Sequence, residues 1–259
     1  MSLRRIPLSP ARRMVADLSW ASLRVPRCLM TAELMLPRTV GARAALAAPR
    51  PPWTTLFAKA FAIAAEERPA LRRLYATLPV PRMLELDHAI GCVVLEREHE
   101  GEPALSIARF TEPQARPLAE LAAMLHHAKT APPMETKSFR RILRFTKLPW
   151  PVRRLMMRIA LAFGAPLLRY GGSFGISALG HEGAAIIDSV SVVPVFLSYG
   201  PIAADGRVQF YISFDHRVMD GADGAAALRA LEQALEGPVA AELESMHAAP
   251  VLVAGTGRG

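Results

Sequence analysis

His216 is the residue of this chain whose type and setting best suit acid–base chemistry, and Asp220 is placed to support its geometry. They stand four apart in SFDHRVMDG, Ser213 to Gly221. An imidazole with an ordinary pKa of about 6.5 is matched to taking a proton from a thiol or hydroxyl during its attack on a carbonyl. The attacked carbonyl becomes a tetrahedral oxyanion, so a hydrogen-bond donor must face it. Each residue also has a plainer reading. A histidine can be structural, and Asp220 can cap a helix that starts at Ala222.

The elements around them are readable. Val208, Phe210, Ile212 and Phe214 alternate with Arg207, Gln209, Tyr211 and Ser213, the period of a strand with one buried face. Leu228, Leu231 and Leu235 then recur at helical spacing, and Gly237-Pro238 is expected to stop that helix. His216 and Asp220 therefore lie where a strand hands over to a helix.

DHRVMDG and the following ADGAAALRALEQAL resemble the DHRxxDG signature and helix of the dihydrolipoamide acyltransferase catalytic domains of 2-oxoacid dehydrogenase complexes. A more distant likeness is to chloramphenicol acetyltransferase, with HHxxxDG. The resemblance implies that His216 is the general base and that Asp220 contributes to an ion pair shaping the turn beneath it. It also implies an oxyanion hydroxyl within a Gly-Gly-x-Phe-Thr-Ile-Ser-x-x-Gly segment. Gly171 to Gly180 read GGSFGISALG, which puts that role on Ser177 and a glycine, Gly175, where the family has threonine. In the family the active site lies between subunits of a trimer, with the histidine from one and the hydroxyl from the next.

The 259 residues are 51% hydrophobic, which excludes general disorder and allows a sizeable core. Cys28 and Cys92 form no CxxC or Cys/His pattern, so no zinc site or disulfide framework is expected, and a reduced cytoplasmic location is the simplest reading. The N-terminal MSLRRIPLSP lacks the apolar run of a secretory signal. Ile159 to Leu168, the longest apolar candidate, is too short to span a bilayer.

Ser9 as N-cap and Pro10 at N1 predict a helix through about Ser22, with Met14, Val15 and Leu18 on its apolar side. This PLSPARRMVADL resembles the family's opening helix, and Val25 to Leu36 its first strand. A second helix is expected over 53–68, with Leu56, Phe57, Ala60 and Ala64 packed in the core. Strands over 88–95 and 104–110 flank the charged hairpin EREHEGEP, and a helix covers 113–128. His126 and His127 on that helix read as solvated or packing residues. Ser191 to Tyr199 is expected to form a strand, turning at Ala203-Ala204-Asp205-Gly206 into the one before His216. The chain is expected to lack lipoyl and subunit-binding arms, to form one domain over 1–259, and to end in a mobile tail over about 248–259.

Residues 136–170 read as an insert relative to the family. Lys137, Arg140, Arg141, Arg144, Lys147, Arg153, Arg154, Arg158 and Arg169 have no acidic residue among them, and their nine charges exceed the whole chain's +8. Two helices separated by Pro149-Trp150-Pro151 are expected, the second with Leu155, Met156, Ile159, Ala160 and Phe163. The segment reads as a solvated basic face over a packed apolar one, as a patch for coenzyme A phosphates, as a dock for an acidic acyl carrier protein, or as a membrane-surface contact. Nucleic acid is not expected, because no recognition motif accompanies the charge.

Two rival readings exist. Gly171-Gly172-Ser173-Phe174-Gly175 matches GxSxG, and Ser173, Asp188 or Asp205, and His216 follow the order of a hydrolase triad. Alternatively the chain is a non-catalytic assembly or binding module of the same fold. The expectation carried forward is an α/β, two-layer sandwich with a mixed β-sheet of the chloramphenicol acetyltransferase-like type. It would act as a soluble homotrimeric acyltransferase, with His216, Asp220 and Ser177 at its site. Coenzyme A, or a carrier-bound thiol, would be the acyl-carrying co-substrate, with a thiol, hydroxyl or amine acceptor and no metal or covalently attached lipoyl group. The apolar run from Leu155 to Phe163 would permit a long or branched acyl chain.

Overall fold

A computed structural model of the chain describes residues 3–178 and 186–248. The opening helix α1 spans Pro10–Ser22, and the Ser9 hydroxyl accepts from the Arg12 amide as an N-cap. Strand β1 (Arg27–Met35) and the short helix α2 (Pro37–Ala45) follow, and then α3 (Trp53–Glu67). A small hairpin, β2 (Arg73–Ala76) with β3 (Arg82–Glu85), precedes the long hairpin β4 (Ile90–His99) and β5 (Glu102–Thr111). The expected charged loop EREHEGEP is thus mostly strand. Glu100 and Gly101 alone make the turn, both at positive φ, as a two-residue hairpin of matching twist requires.

A single short turn over Pro113–Ala115 precedes α4 (Leu118–Thr130), so this helix starts later than its sequence suggests. The basic segment forms α5 (Lys137–Lys147), α6 (Trp150–Phe163) and a third helix, α7 (Ala165–Gly171). Trp150 and Pro151 belong to the first turn of α6, where proline's missing N–H costs nothing. Strands β6 (Phe174–Ala178), β7 (Val195–Ile202) and β8 (Arg207–Asp215) lead to α8 (Gly221–Ala234). The strand expected over 191–199 therefore begins and ends later. Gly237-Pro238 does not end the last helix. A wider π-type turn over Leu235–Val239 carries the chain into α9 (Ala240–Ala248). Residues 249–259, most of the expected tail, lie outside the described residues.

The main sheet has six strands in the order β1-β8-β7-β6-β4-β5. β6 runs parallel to β4 and β7, and the other neighbouring pairs are antiparallel, so the sheet is mixed. Its core face carries Phe174, Ile176, Val195, Leu197, Phe210, Ile212 and Phe214, packed with Phe57 and Phe61 of α3 and Leu228 and Leu231 of α8. This is the expected two-layer α/β arrangement. A salt bridge between Lys59 and Glu242 ties α3 to α9, and the Glu242 carboxylate also accepts from the Leu118 amide at the start of α4. No helix among the described residues is long and apolar enough to cross a membrane.

α1 and α6 meet in a way their patterns conceal. The buried residues of α1 are Asp17 and Ala21. Asp17 accepts from Arg153 Nε at 2.6 Å, and Arg154 Nε lies 3.4 Å away. The buried residues of α6 are accordingly Arg153 and Met157, while Leu155, Met156, Ile159 and Phe163 stay exposed. The expectation of a packed apolar face on α6 is corrected: its arginine is inside and its apolar stripe outside.

Candidate active site

The turn after β8 is held on several sides. Its backbone is fixed by Asp215 N donating to Pro194 O and His216 N donating to Pro26 O, at 2.9 and 2.8 Å. The Asp215 carbonyl accepts from Val218 and Met219, and its carboxylate, 3% exposed, accepts from the Arg217 amide and both sides of its guanidinium. The Arg217 guanidinium lies 4.7 Å from the Tyr75 ring centroid. Asp220 caps α8. Its carboxylate accepts from Ala222 and Asp223 amides while the Asp223 side chain accepts from the Asp220 amide, a reciprocal capping box.

His216 is exposed, and its Nδ1 lies 3.0 Å from the Met219 carbonyl oxygen. A carbonyl oxygen only accepts, so in the neutral ring the proton sits on Nδ1 and the lone pair on Nε2. That is the tautomer a general base needs. The ion pair beneath the histidine is made by Asp215 and Arg217, and the Asp220 carboxylate is occupied by the helix cap. The capping reading of Asp220 thus holds, whereas the ion pair implied for it falls on its neighbours. Both partners lie inside the DHR triplet, so the signal was an acid and a base flanking the histidine.

Ser177 is half-buried on β6, on the face away from the core helices. The glycines before it place that strand. Gly172 has φ +77°, and a Cβ there would stand 2.4 Å from Ile90 O. Ser173 N donates to that same oxygen at 2.9 Å, and the Ser173 hydroxyl accepts from Ile90 N at 3.0 Å, fastening the start of β6 to β4. A Cβ at Gly175 would meet the Phe196 ring at 2.6 Å, so that ring fills the space a threonine side chain would need. Gly180 and the rest of 179–185 lie outside the described residues.

The structure does not bring Ser177 and His216 together in one chain. Ser177 pairs with Ser198 of β7, which pairs with Tyr211 of β8, five residues short of His216. At about 3.3 Å per residue and two strand spacings, that is about 17 Å along the strands and about 10 Å across.

The hydrolase triad is absent among the described residues. Ser173 is fully buried with its hydroxyl on Ile90, it precedes a strand instead of following one, and the ring nitrogen Nδ1 of His216 faces a carbonyl and not a carboxylate. Asp205 pairs with Arg207 in the β7–β8 turn, and Asp188 accepts from the Ser213 hydroxyl. Arg27 lies beside Ser213, donating to its hydroxyl and carbonyl oxygens and to Val193 O. Burial lowers its pKa, and Asp188 and Asp215 oppose that shift.

The fold is a two-layer α/β arrangement of the chloramphenicol acetyltransferase type, with His216 just past the end of the strand preceding α8. Residues 168–243, which hold both Ser177 and His216, match the family model "2-oxoacid dehydrogenases acyltransferase (catalytic domain)". Among solved structures, the probable dihydrolipoamide acetyltransferase of Listeria monocytogenes 4b F2365 superposes with a TM-score of 0.65 at 17% identity, over 90% of this chain and 94% of that one. The dihydrolipoamide acetyltransferase of Azotobacter vinelandii gives 0.64 at 17% identity, over 93% and 94%. A chloramphenicol acetyltransferase gives 0.50 at 13% identity, over 85% and 94%. No curated protein matches the sequence.

Proposed function

We propose that this chain is an acyltransferase that moves an acyl group between coenzyme A, or a carrier-bound thiol, and a thiol, hydroxyl or amine acceptor. The observation that carries the reading is the 3.0 Å contact of His216 Nδ1 with Met219 O, which leaves Nε2 free on an exposed ring. His216 takes the acceptor's proton on Nε2 as the acceptor attacks the thioester carbonyl. The Ser177 hydroxyl donates a hydrogen bond to the resulting oxyanion and keeps its proton. When the carbon–sulfur bond breaks, His216 returns the proton to the departing thiol. Protons and electrons balance, and the imidazole ends as it began.

Asp220 builds the helix cap that fixes the turn, and exchanges no proton. In the Azotobacter enzyme a serine, a histidine and, four positions after the histidine, an asparagine were studied for their catalytic role. The same spacing here runs from His216 to Asp220. Because Ser177 and His216 stand apart, the complete site takes His216 from one subunit and Ser177 from another, which supports a homotrimer.

The test is thiol release from acetyl-, branched- and long-chain acyl-coenzyme A with several acceptors, for wild type and His216→Ala. Turnover that falls about 10²-fold or more in the variant is expected. Equal turnover in both proteins removes His216 as the base. No turnover with any donor points to a non-catalytic module.

A further inference from the structure

A cleft of about 220 Å³ opens one residue from the base. Asp215 and Arg217 form one side. The other walls come from Arg24 and Val25 at the entry to β1, from Tyr75 on β2, and from Arg158, Leu161 and Ala162 on α6. The basic helical segment is therefore not a remote appendage. Its second helix is a wall of the cleft beside the catalytic turn.

The charge of this cleft is unbalanced. Three arginines line it against one acid, and that acid is already committed, because the Asp215 carboxylate receives three donors from Arg217. Arg24 donates to the Trp20 carbonyl, and Arg24 and Arg158 lie 3.6 and 5.7 Å from the Trp20 ring centroid. Neither has a carboxylate partner among the described residues. A ring face and a backbone carbonyl, neither of which carries a negative charge, position the two guanidinium groups. Between these cations the walls are apolar, with Val25, Leu74, Leu161 and Leu167.

Two guanidinium groups with no carboxylate partner among the described residues, over an apolar floor, select one chemistry. A carboxylate or phosphate is bound by charge-assisted, fork-shaped hydrogen bonds, and an alkyl body gains from leaving water. A neutral alcohol of the same length gets only the second contribution, and a cation is repelled. We propose that the cleft is a binding site for an amphiphilic anion, a carboxylate or phosphate on an apolar chain, belonging to a substrate. The name substrate rests on the acyl-transfer reading; the binding itself does not. The α6 residues that would hold an apolar chain are Leu161 and Ala162, while Leu155, Met156, Ile159 and Phe163 are exposed and do not line the cleft.

The test is titration calorimetry on the full chain with decanoate, decyl phosphate and decanol. Both anions should bind, and decanol at least about 10-fold more weakly. Arg158→Gln should weaken the anions by at least about 10-fold, whereas Arg144→Gln, the same charge change on the exposed side of α5, should leave them unchanged. Both arginines are exposed, so neither variant endangers folding. Decanol binding as tightly as the anions, no binding of either anion, or equal losses in the two variants would overturn the proposal. Saturating coenzyme A should displace the anion where the anion belongs to the donor, and leave it bound where it belongs to the acceptor. His216→Ala keeps the cleft, so failure of the acyl-transfer reading shows as unchanged turnover in that variant with binding intact.

Discussion

Ser177 and His216 stand about 17 Å apart along the same sheet, Ser177 on β6 and His216 just past β8, two strands away. Ser177 is level with Tyr211, midway along β8, and His216 follows the end of that strand. No rotamer change spans about 17 Å along the strands. A site that uses both residues must draw them from two copies of the chain. This predicts complementation. Ser177→Ala and His216→Ala should each be nearly inactive alone, while trimers reassembled from an equal mixture should recover about a quarter of wild-type activity, the chance that one site draws both intact residues. No recovery, with mixed trimers confirmed by mass, would place the oxyanion donor elsewhere.

The Asp215–Arg217 pair is expected to matter twice, for stability and for the placing of His216. Asp215→Asn replaces a buried acceptor of three donors by an amide whose NH2 faces a guanidinium. The loss should be about 2 kcal/mol in denaturant unfolding. Because the turn that seats His216 Nδ1 on Met219 O is tied through Asp215, kcat should fall more than KM rises. An unchanged kcat at reduced stability would mean that the pair holds the fold but not the histidine.

Gly175 and Phe196 are expected to be coupled. Gly175→Thr forces a side chain into the Phe196 ring, which should cost about 1–3 kcal/mol as overpacking. Phe196→Ala alone leaves a cavity. The double variant should be more stable than the sum of the two losses, since each change relieves the other. Strict additivity would show that the ring is not what excludes the threonine.

Local chemistry explains which features could be read in advance. Ser9-Pro10 opens α1 and Asp220 caps α8 through groups within three residues, so both were legible. The DHR turn was legible as a motif, but the partner of His216 was a main-chain carbonyl, which carries no sequence signal. The inside face of α6 was not legible, because Arg153 is drawn in by Asp17 from 136 positions away. Gly237-Pro238 reads as a stop, yet the adjacent Glu236 carboxylate accepts from the Arg38 and Thr39 amides and the Thr39 hydroxyl. Those long-range ties hold the chain where a local rule would release it. The cleft was equally hidden, since its walls come from five separate parts of the chain.

Alkaline pH should destabilise the protein through two buried acids. Burial pushes the Cys92 thiol from 9.0 up to about 11, with Arg109 opposing. It also pushes the Tyr199 phenol from 10.0 up to about 12, against its hydrogen bond with Thr54 and the charge of Arg43. Both folded values exceed the unfolded ones. Above pH 9 the unfolded chain therefore binds fewer protons than the native one, and stability falls as pH rises. The contribution of Cys92 should be intact below pH 9 and lost progressively by pH 11, and that of Tyr199 between pH 10 and 12. Each is worth about 3 kcal/mol by linkage. Cys92→Ala should remove the decline between pH 9 and 10, lessen it between pH 10 and 11, and leave the Tyr199 part up to pH 12. In native protein at pH 8, a thiol reagent should label the half-buried Cys28 well before the buried Cys92. Equal labelling of the two cysteines would contradict the burial that raises the Cys92 value, and with it the predicted slope.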